Sequence, residues 1–214
     1  MEKAKENKEK IQFYSEKTKK FYQLFPTKTI PTLKISGVPM HRFTKIDPLQ
    51  DTLLKIEAAK PKGIVLDTCC GLGYTAIFSA KKPKVEKVYS FEKDENVLKM
   101  AKLNEASKEL FENKKIMLKQ ADVLEEIKNF SDDFFDTIIH DPPTFKLAPE
   151  LYSEKFYKEL ARVLKKKGRL WHYCPVPGKL KYGEKFRKKI ENKLKKFFKV
   201  FYDKASEGFV CFKK

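Results

Sequence analysis

At 214 residues, a chain with 47 lysines and arginines against 29 acids carries a formal charge of +18, a surplus that favours a polyanionic partner over a membrane surface or a neutral small molecule. No apolar run approaches the roughly 18–20 residues that span a bilayer, and the opening MEKAKENKEK lacks the apolar core of a secretory signal. Four cysteines (Cys69, Cys70, Cys174, Cys211) show neither zinc-site spacing nor disulfide density, which points to a reduced, cytoplasmic protein that needs no metal.

In chain order, residues 5–24 predict a helix stopped before Pro26. Pro26, Pro31, Pro39 and Pro48 then break the chain around a short β run at 32–35 closed by Gly37. A helix follows over 49–59 and ends at Pro61-Lys62-Gly63. Residues 1–62 therefore read as a small basic N-terminal extension. From Gly63 the chain alternates regularly: strand 64–66, helix 74–80, strand 85–91, then a helix over 94–110 with Val97, Met100, Leu103, Ala106 and Leu110 on one face. Strands at 116–119 and 134–139, a helix at 152–164 and a strand at 169–174 come next. Residues 178–200 hold ten basic residues against Glu184 and Glu191, with Phe186, Ile190, Leu194 and Phe197 at helical spacing. Two closing runs, 198–202 and 208–212, suggest an antiparallel end. Residues 63–214 thus predict an α/β domain, a seven-stranded, mostly parallel sheet with helices on both faces.

The richest stretch is Asp67-Thr68-Cys69-Cys70-Gly71-Leu72-Gly73, directly after an apolar strand. Gly71 and Gly73 permit a tight turn that brings backbone N–H groups to a ligand at the start of a helix. Asp67 at the strand end would repel phosphate and welcome an amino group. Glu92 closes the next strand, where a carboxylate accepts ribose hydroxyls, and Asp122 closes the third, within reach of an adenine amine. Cys69, Tyr74, Lys93 and Val123 beside these acids are candidate cofactor contacts, as is Asp141 after the fourth strand. Acids at three successive strand ends suit a ligand with an amino-acid part, a ribose and an adenine, which describes S-adenosylmethionine better than a dinucleotide.

This arrangement resembles the class I, Rossmann-like S-adenosylmethionine-dependent methyltransferases over residues 63–214. Their loop reads acidic-x-G-x-G-x-G; here Cys69 replaces the first glycine, and a cysteine needs ordinary backbone angles, so a slightly reshaped turn is expected. A nicotinamide-dependent dehydrogenase would want a third glycine and would leave the next motif unexplained.

That motif is His140-Asp141-Pro142-Pro143-Thr144-Phe145-Lys146, delivered by the fourth strand. Two prolines fix the backbone and remove two donors. An Asp141 carboxylate oxygen and the Pro142 carbonyl can then accept both hydrogens of a planar amino group and turn its lone pair toward a methyl donor. The motif resembles the D/N/S-P-P-aromatic signature of amino-directed methyltransferases, which implies catalytic roles for Asp141, Pro142, Pro143 and Phe145. Thr144 stands where the stacking aromatic usually falls, so Phe145 reaches the base from one position later. His140, Thr144, Phe145 and Lys146 are candidate substrate contacts. His41 and Arg42, in the segment Ile35–Phe43, are further candidates, an arginine clamping phosphate beside the Phe43 ring, with a packed hairpin edge as the equal alternative.

Charge favours RNA over protein or small molecules, and the 60-residue extension is small for a sequence-specific DNA enzyme. The chain also resembles a group of archaeal methyltransferases with the Asp-Thr-Cys-x-Gly-Leu-Gly-Tyr loop. That resemblance implies cytidine N4 methylation of ribosomal RNA; adenine N6, DNA amino groups and a non-catalytic RNA-binding relative are the alternatives. Oligomeric state stays open.

Overall fold

A computed structural model describes residues 11–175 and 180–214. Its main sheet is seeded by β5 (Gly63–Asp67), flanked in parallel by β6 (Val85–Glu92) and β8 (Phe135–His140). Beyond β6 lies β7 (Ile116–Gln120), and beyond β8 lies β9 (Leu164–Tyr173), both parallel to their neighbours. The last strand in the chain, β11 (Gly208–Lys213), slots antiparallel between β9 and β10 (Phe198–Asp203). The full order is β10-β11-β9-β8-β5-β6-β7, so the seven-stranded, mostly parallel sheet and its antiparallel end match the expectation.

Both faces of the sheet are covered because its strands are apolar on both sides. On one face Val65, Val88, Ile139 and Trp171 pack against α1 (Pro48–Ala59), α2 (Tyr74–Ala80) and α3 (Glu95–Lys102). On the other, Leu66, Ile138 and Leu170 meet α6 (Glu154–Val163) and α7 (Leu180–Leu194). Each fully buried Leu, Ile or Val contributes about 1.5–3 kcal/mol. The chain runs outward from β5 on one side through β6 and on the other through β8. Their carboxyl ends therefore border the crevice at which open α/β sheets bind ligands.

Residues 11–25 overturn the predicted N-terminal helix. They form a hairpin, β1 (Gln12–Ser15) and β2 (Lys20–Phe25), extended by β3 (Thr32–Ile35) and β4 (Val38–Pro39) into a four-stranded antiparallel sheet. Alternation explains the outcome: Tyr22 and Leu24 point into the core while Phe21 stays on the surface. The part of the predicted helix before residue 11 lies outside the described residues. Ser36 and Gly37, both at positive φ, make the two-residue turn between β3 and β4.

Two predicted helices are shorter than expected. The span 94–110 breaks after α3 because Asn104, buried, accepts from the Ala106 N–H and donates to Tyr74 and Ser107. A short 3-10 turn leads on to α4 (Lys108–Glu112), and Leu103, expected on the apolar face, is half exposed. Ser153 caps α6, accepting from Phe156 N, so residues 149–152 form only a 3-10 turn before it. Within the stretch predicted to be basic and helical, α7 buries Ile190 and Leu194; residues 176–179 lie outside the described residues.

Candidate active site

The loop after β5 sets one wall of the crevice. Its left-handed residues are Gly71 (φ 56) and Gly73 (φ 81), while Cys69 keeps ordinary angles, so the strain falls where glycine bears it cheaply. A Cβ on Gly73 would strike Leu110, whereas one on Gly71 would meet open space. The N–H groups expected to face a ligand are mostly spent within the protein. Cys70 N donates to Phe91 O, Gly73 N to Cys70 O, and Gly71 N to Glu92 Oε2 at 2.9 Å. Burial pushes the Cys69 thiol well above its usual range.

The acids stand at successive strand ends. Asp67 is fully buried and accepts from Thr75 (3.1 Å) and Ser90 (2.7 Å); burial raises it to about 6 against the pull of those hydroxyls. Glu92 holds Gly71 N on one oxygen and Asp94 N on the other, at 2.9 Å each, and burial raises it to about 7. Asp122 caps α5 (Val123–Glu126) through Leu124 N and pairs with the exposed Lys93 at 2.7 Å. Val123 is buried beneath them. Tyr74 does not face this crevice: its phenol donates to Pro31 O and accepts from Asn104 inside the core, so its expected cofactor contact is corrected.

Asp141 follows β8 at the same edge. Its Oδ2 accepts from Lys55 Nζ at 2.7 Å, and Lys55 lies 2.9 Å from Asp51 one turn earlier on α1. Burial raises the Asp141 carboxyl, opposed by the Lys55 charge. Among the described residues no hydrogen bond engages Asp141 Oδ1 or the Pro142 carbonyl, whereas Tyr152 Oη donates to the Pro143 carbonyl at 2.8 Å. The Thr144 carbonyl accepts from Leu147 N and Ala148 N, turning the loop back. Phe145, 38% exposed, packs edge-on against Tyr152 and Phe186, and Lys146 points to solvent.

Three predicted substrate contacts are committed elsewhere. His140 is fully buried, its Nδ1 on Thr68 (2.7 Å) and Nε2 on the Leu151 carbonyl (3.0 Å); burial depresses it to about 3, so it is a neutral core histidine. His41 bonds Thr32 through Nδ1 and lies against Tyr74, and burial depresses it likewise to about 3. Arg42 donates Nε to Asp51 and Nη1 to the Ala205 carbonyl, tying the N-terminal segment to α1 and the β10–β11 turn. It is a structural tie and is not free to clamp phosphate. Sequence reasoning missed Asp51, Lys55 and Tyr152. The signal for the first two was a charge pair at i,i+4 in the stripe Pro48, Asp51, Thr52, Lys55, Ile56, Ala59 that α1 buries.

Strand order, glycine loop and strand-end acids together define a Rossmann-like methyltransferase fold. The chain belongs to the methyltransferase small domain family, whose model matches residues 36–203. It is 49% identical over 179 residues to the uncharacterized protein MJ1233 of Methanocaldococcus jannaschii, covering 82% of this chain and 60% of that protein. To a polyamine aminopropyltransferase of Prochlorococcus marinus it is 33% identical over 133 residues, 61% of this chain and 46% of that protein. The chain thus spans less than two thirds of the length of these relatives. Among solved structures, a spermidine synthase in complex with the transition-state analogue AdoDATO superposes with TM-score 0.75 at 18% identity, covering 96% of this chain and 73% of that one. MnmC2 from Aquifex aeolicus superposes with TM-score 0.61 at 21% identity, covering 89% and 70%. These structural likenesses speak for the fold.

The residues present fit an S-adenosylmethionine-like ligand. Open space lies above Gly71 where a Cβ would stand, and Glu92, desolvated and held by two N–H groups, has lone pairs left for neutral hydroxyl donors.

Proposed function

We propose that the protein methylates an exocyclic amino nitrogen of a base in structured RNA, with cytidine N4 of ribosomal RNA as the acceptor. The observation that carries this reading is Asp141-Pro142-Pro143 at the end of β8, beside the β5 crevice, with Asp141 Oδ1 and the Pro142 carbonyl free to accept. Bound S-adenosylmethionine supplies an electrophilic methyl group; Glu92 and Asp122 would hold its ribose and adenine parts, whereas Asp67, fully buried with its oxygens taken by Thr75 and Ser90, does not reach its amino-acid part as expected. Asp141 and the Pro142 carbonyl take the two hydrogens of a planar amino group and so fix its lone pair, a catalysis by orientation. Asp141 then receives the proton shed by the methylated nitrogen.

The lysine surface supports RNA as the polymer. An open cleft of about 510 Å³ is lined by Lys185, Lys188, Lys189, Lys193 and Lys196 with Asn192 and Glu154. It adjoins the reactive loop: Lys193 Nζ donates to the Tyr152 carbonyl, Tyr152 holds Pro143, and Phe186 of α7 packs on Phe145. A phosphate backbone lying along α7 would bring an unstacked nucleotide to Asp141.

A second reading, aminopropyl transfer from decarboxylated S-adenosylmethionine to a small amine, is favoured by the identity to the Prochlorococcus marinus enzyme. Incubation with either labelled donor, against separated RNA, DNA, protein and polyamine fractions followed by nucleoside mass analysis, decides between them. Methylcytidine in RNA supports the proposal. Label in adenine, DNA or polyamine overturns the acceptor, and RNA binding without transfer marks a non-catalytic relative.

A further inference from the structure

Lys55 carries its charge in a nearly closed cage, its side chain 3% exposed. Two carboxylates, Asp51 at 2.9 Å and Asp141 at 2.7 Å, and the rings of Tyr173 (4.9 Å) and Trp171 (5.9 Å) surround the ammonium. A buried ammonium is costly unless fixed anions compensate it, so its partners explain its presence. Asp51 already has a cation, because Arg42 donates to it. Among the described residues Asp141 pairs with no cation except Lys55. Packing alone would be served by an apolar side chain at position 55, next to Ile56 and Ala59 in the core.

The geometry points to Lys55 as a positioning residue, resting on the amino-acceptor reading above. Its ammonium keeps Asp141 an anion and pins Oδ2, so that Oδ1 faces the acceptor's amino group. The step requires an acceptor oxygen at this place: a protonated Asp141 would present a donor to the N–H it must receive. Asp141 faces Lys55 and Asp51 from α1, Arg42 from the segment before it, Asp67 and Cys69 from the end of β5, Tyr152 from the turn after its own loop, and Tyr173 from β9. Without Lys55, two acids and burial act on Asp141 against the more distant Arg42 alone. Its proton is then held to higher pH. Because the carboxylate is the working form, the acid limb of activity moves upward with it.

The test uses the full chain, as wild type, Lys55→Met and Lys55→Arg. Methyl transfer to RNA is followed across pH, and the Asp141 carboxyl is titrated by carbon NMR, its signal assigned with Asp141→Asn. In Lys55→Met both the acid limb of kcat and the Asp141 midpoint should rise by about 1–3 pH units, and Lys55→Arg should restore them. The inference is overturned if neither midpoint moves, or if activity drops by one factor at every pH, as a packing defect would cause. If the single variant does not fold, Asp51→Asn with Lys55→Met also removes the cage's second carboxylate, and the Asp141 midpoint should still rise above that of the wild type for want of its only paired cation among the described residues. Wild-type protein that transfers no methyl to any amino group refutes the amino-acceptor reading by itself, and the NMR titration still decides whether Lys55 holds Asp141 ionised.

Discussion

Replacing Glu92 by Gln removes one carboxylate oxygen and the charge while keeping the side chain's size. In the structure each oxygen already receives a backbone N–H, from Gly71 and from Asp94, both at 2.9 Å. The amide must therefore turn its NH2 toward one of these donors and forfeit an acceptor on the ribose side. A hydrogen bond to a charged group is worth about 1.5–3 kcal/mol, so S-adenosylmethionine should bind about 10- to 150-fold more weakly. The pH dependence sharpens the test. Burial, reinforced by the Asp94 charge, holds the Glu92 carboxyl up at about 7 against the backbone N–H groups that lower it. Below that value the carboxyl is protonated and one acceptor is lost, so the wild-type Kd should rise about tenfold per pH unit below about 7. The ligand-free fold carries the opposite sign. An acid raised in the folded state costs stability as pH climbs from the ordinary carboxylate range through 7, so the ligand-free Tm falls while the ligand-induced shift in Tm grows. Isothermal titration of both proteins at pH about 6, 7 and 8 reads the change in affinity, and thermal melts at the same pH values read the change in stability. A Glu92→Gln variant with the wild-type Kd and pH slope refutes the ribose role.

Asp141→Ala should abolish methyl transfer and leave cofactor affinity within a few-fold if Asp141 holds the acceptor as proposed; full activity would refute the amino clamp. Neutralising Lys185, Lys188, Lys189 and Lys196 with Gln should weaken RNA binding and flatten log K against log salt, by about 0.7–0.9 for each phosphate the ridge neutralises. An unaltered slope would mark the ridge as merely solvated. Arg42→Ala should destabilise the protein by about 1.5–3 kcal/mol, the worth of a hydrogen bond to a charged group, because Lys55 still neutralises Asp51; the loss is seen as a lower urea midpoint at constant m. Its RNA salt slope should stay unchanged; weaker RNA binding at unchanged stability would restore a phosphate role for Arg42.

The main sheet was legible because its signals are local. Apolar runs ending in Asp67, Glu92 and Asp141, with glycines or prolines next to the first and last, announce a strand's end whatever packs around it. The N-terminal hairpin was obscured because lysines and glutamates, good helix formers, surround strands of only four and six residues. In so short a strand, alternation such as Phe21 out, Tyr22 in competes poorly with composition. The break at Asn104 depends on a partner, Tyr74, thirty residues away. The core of the reactive edge was likewise half visible. Asp141 declares itself through its prolines, but Lys55 sits in a helix whose apolar residues include the exposed Leu53. The one local sign is its i,i+4 partner Asp51, and such a pair reads first as a solvent-exposed ion pair. His140 misled for the converse reason, since its place beside the motif says nothing of Thr68 and the Leu151 carbonyl, which consume both ring nitrogens.

The insertion of β11 between β9 and β10 governs the order in which this sheet can close. During synthesis β10 emerges before β11, yet β11 is the strand that pairs with both β9 and β10. Until Gly208–Lys213 is made, β9 presents an open edge and β10 has no partner in the sheet. Arg42 reaches its carbonyl at Ala205 only once that same turn has docked, across 163 residues of chain. Closure of this side of the sheet therefore waits on residues 208–213, and a nascent chain stalled before residue 208 exposes a sticky strand template.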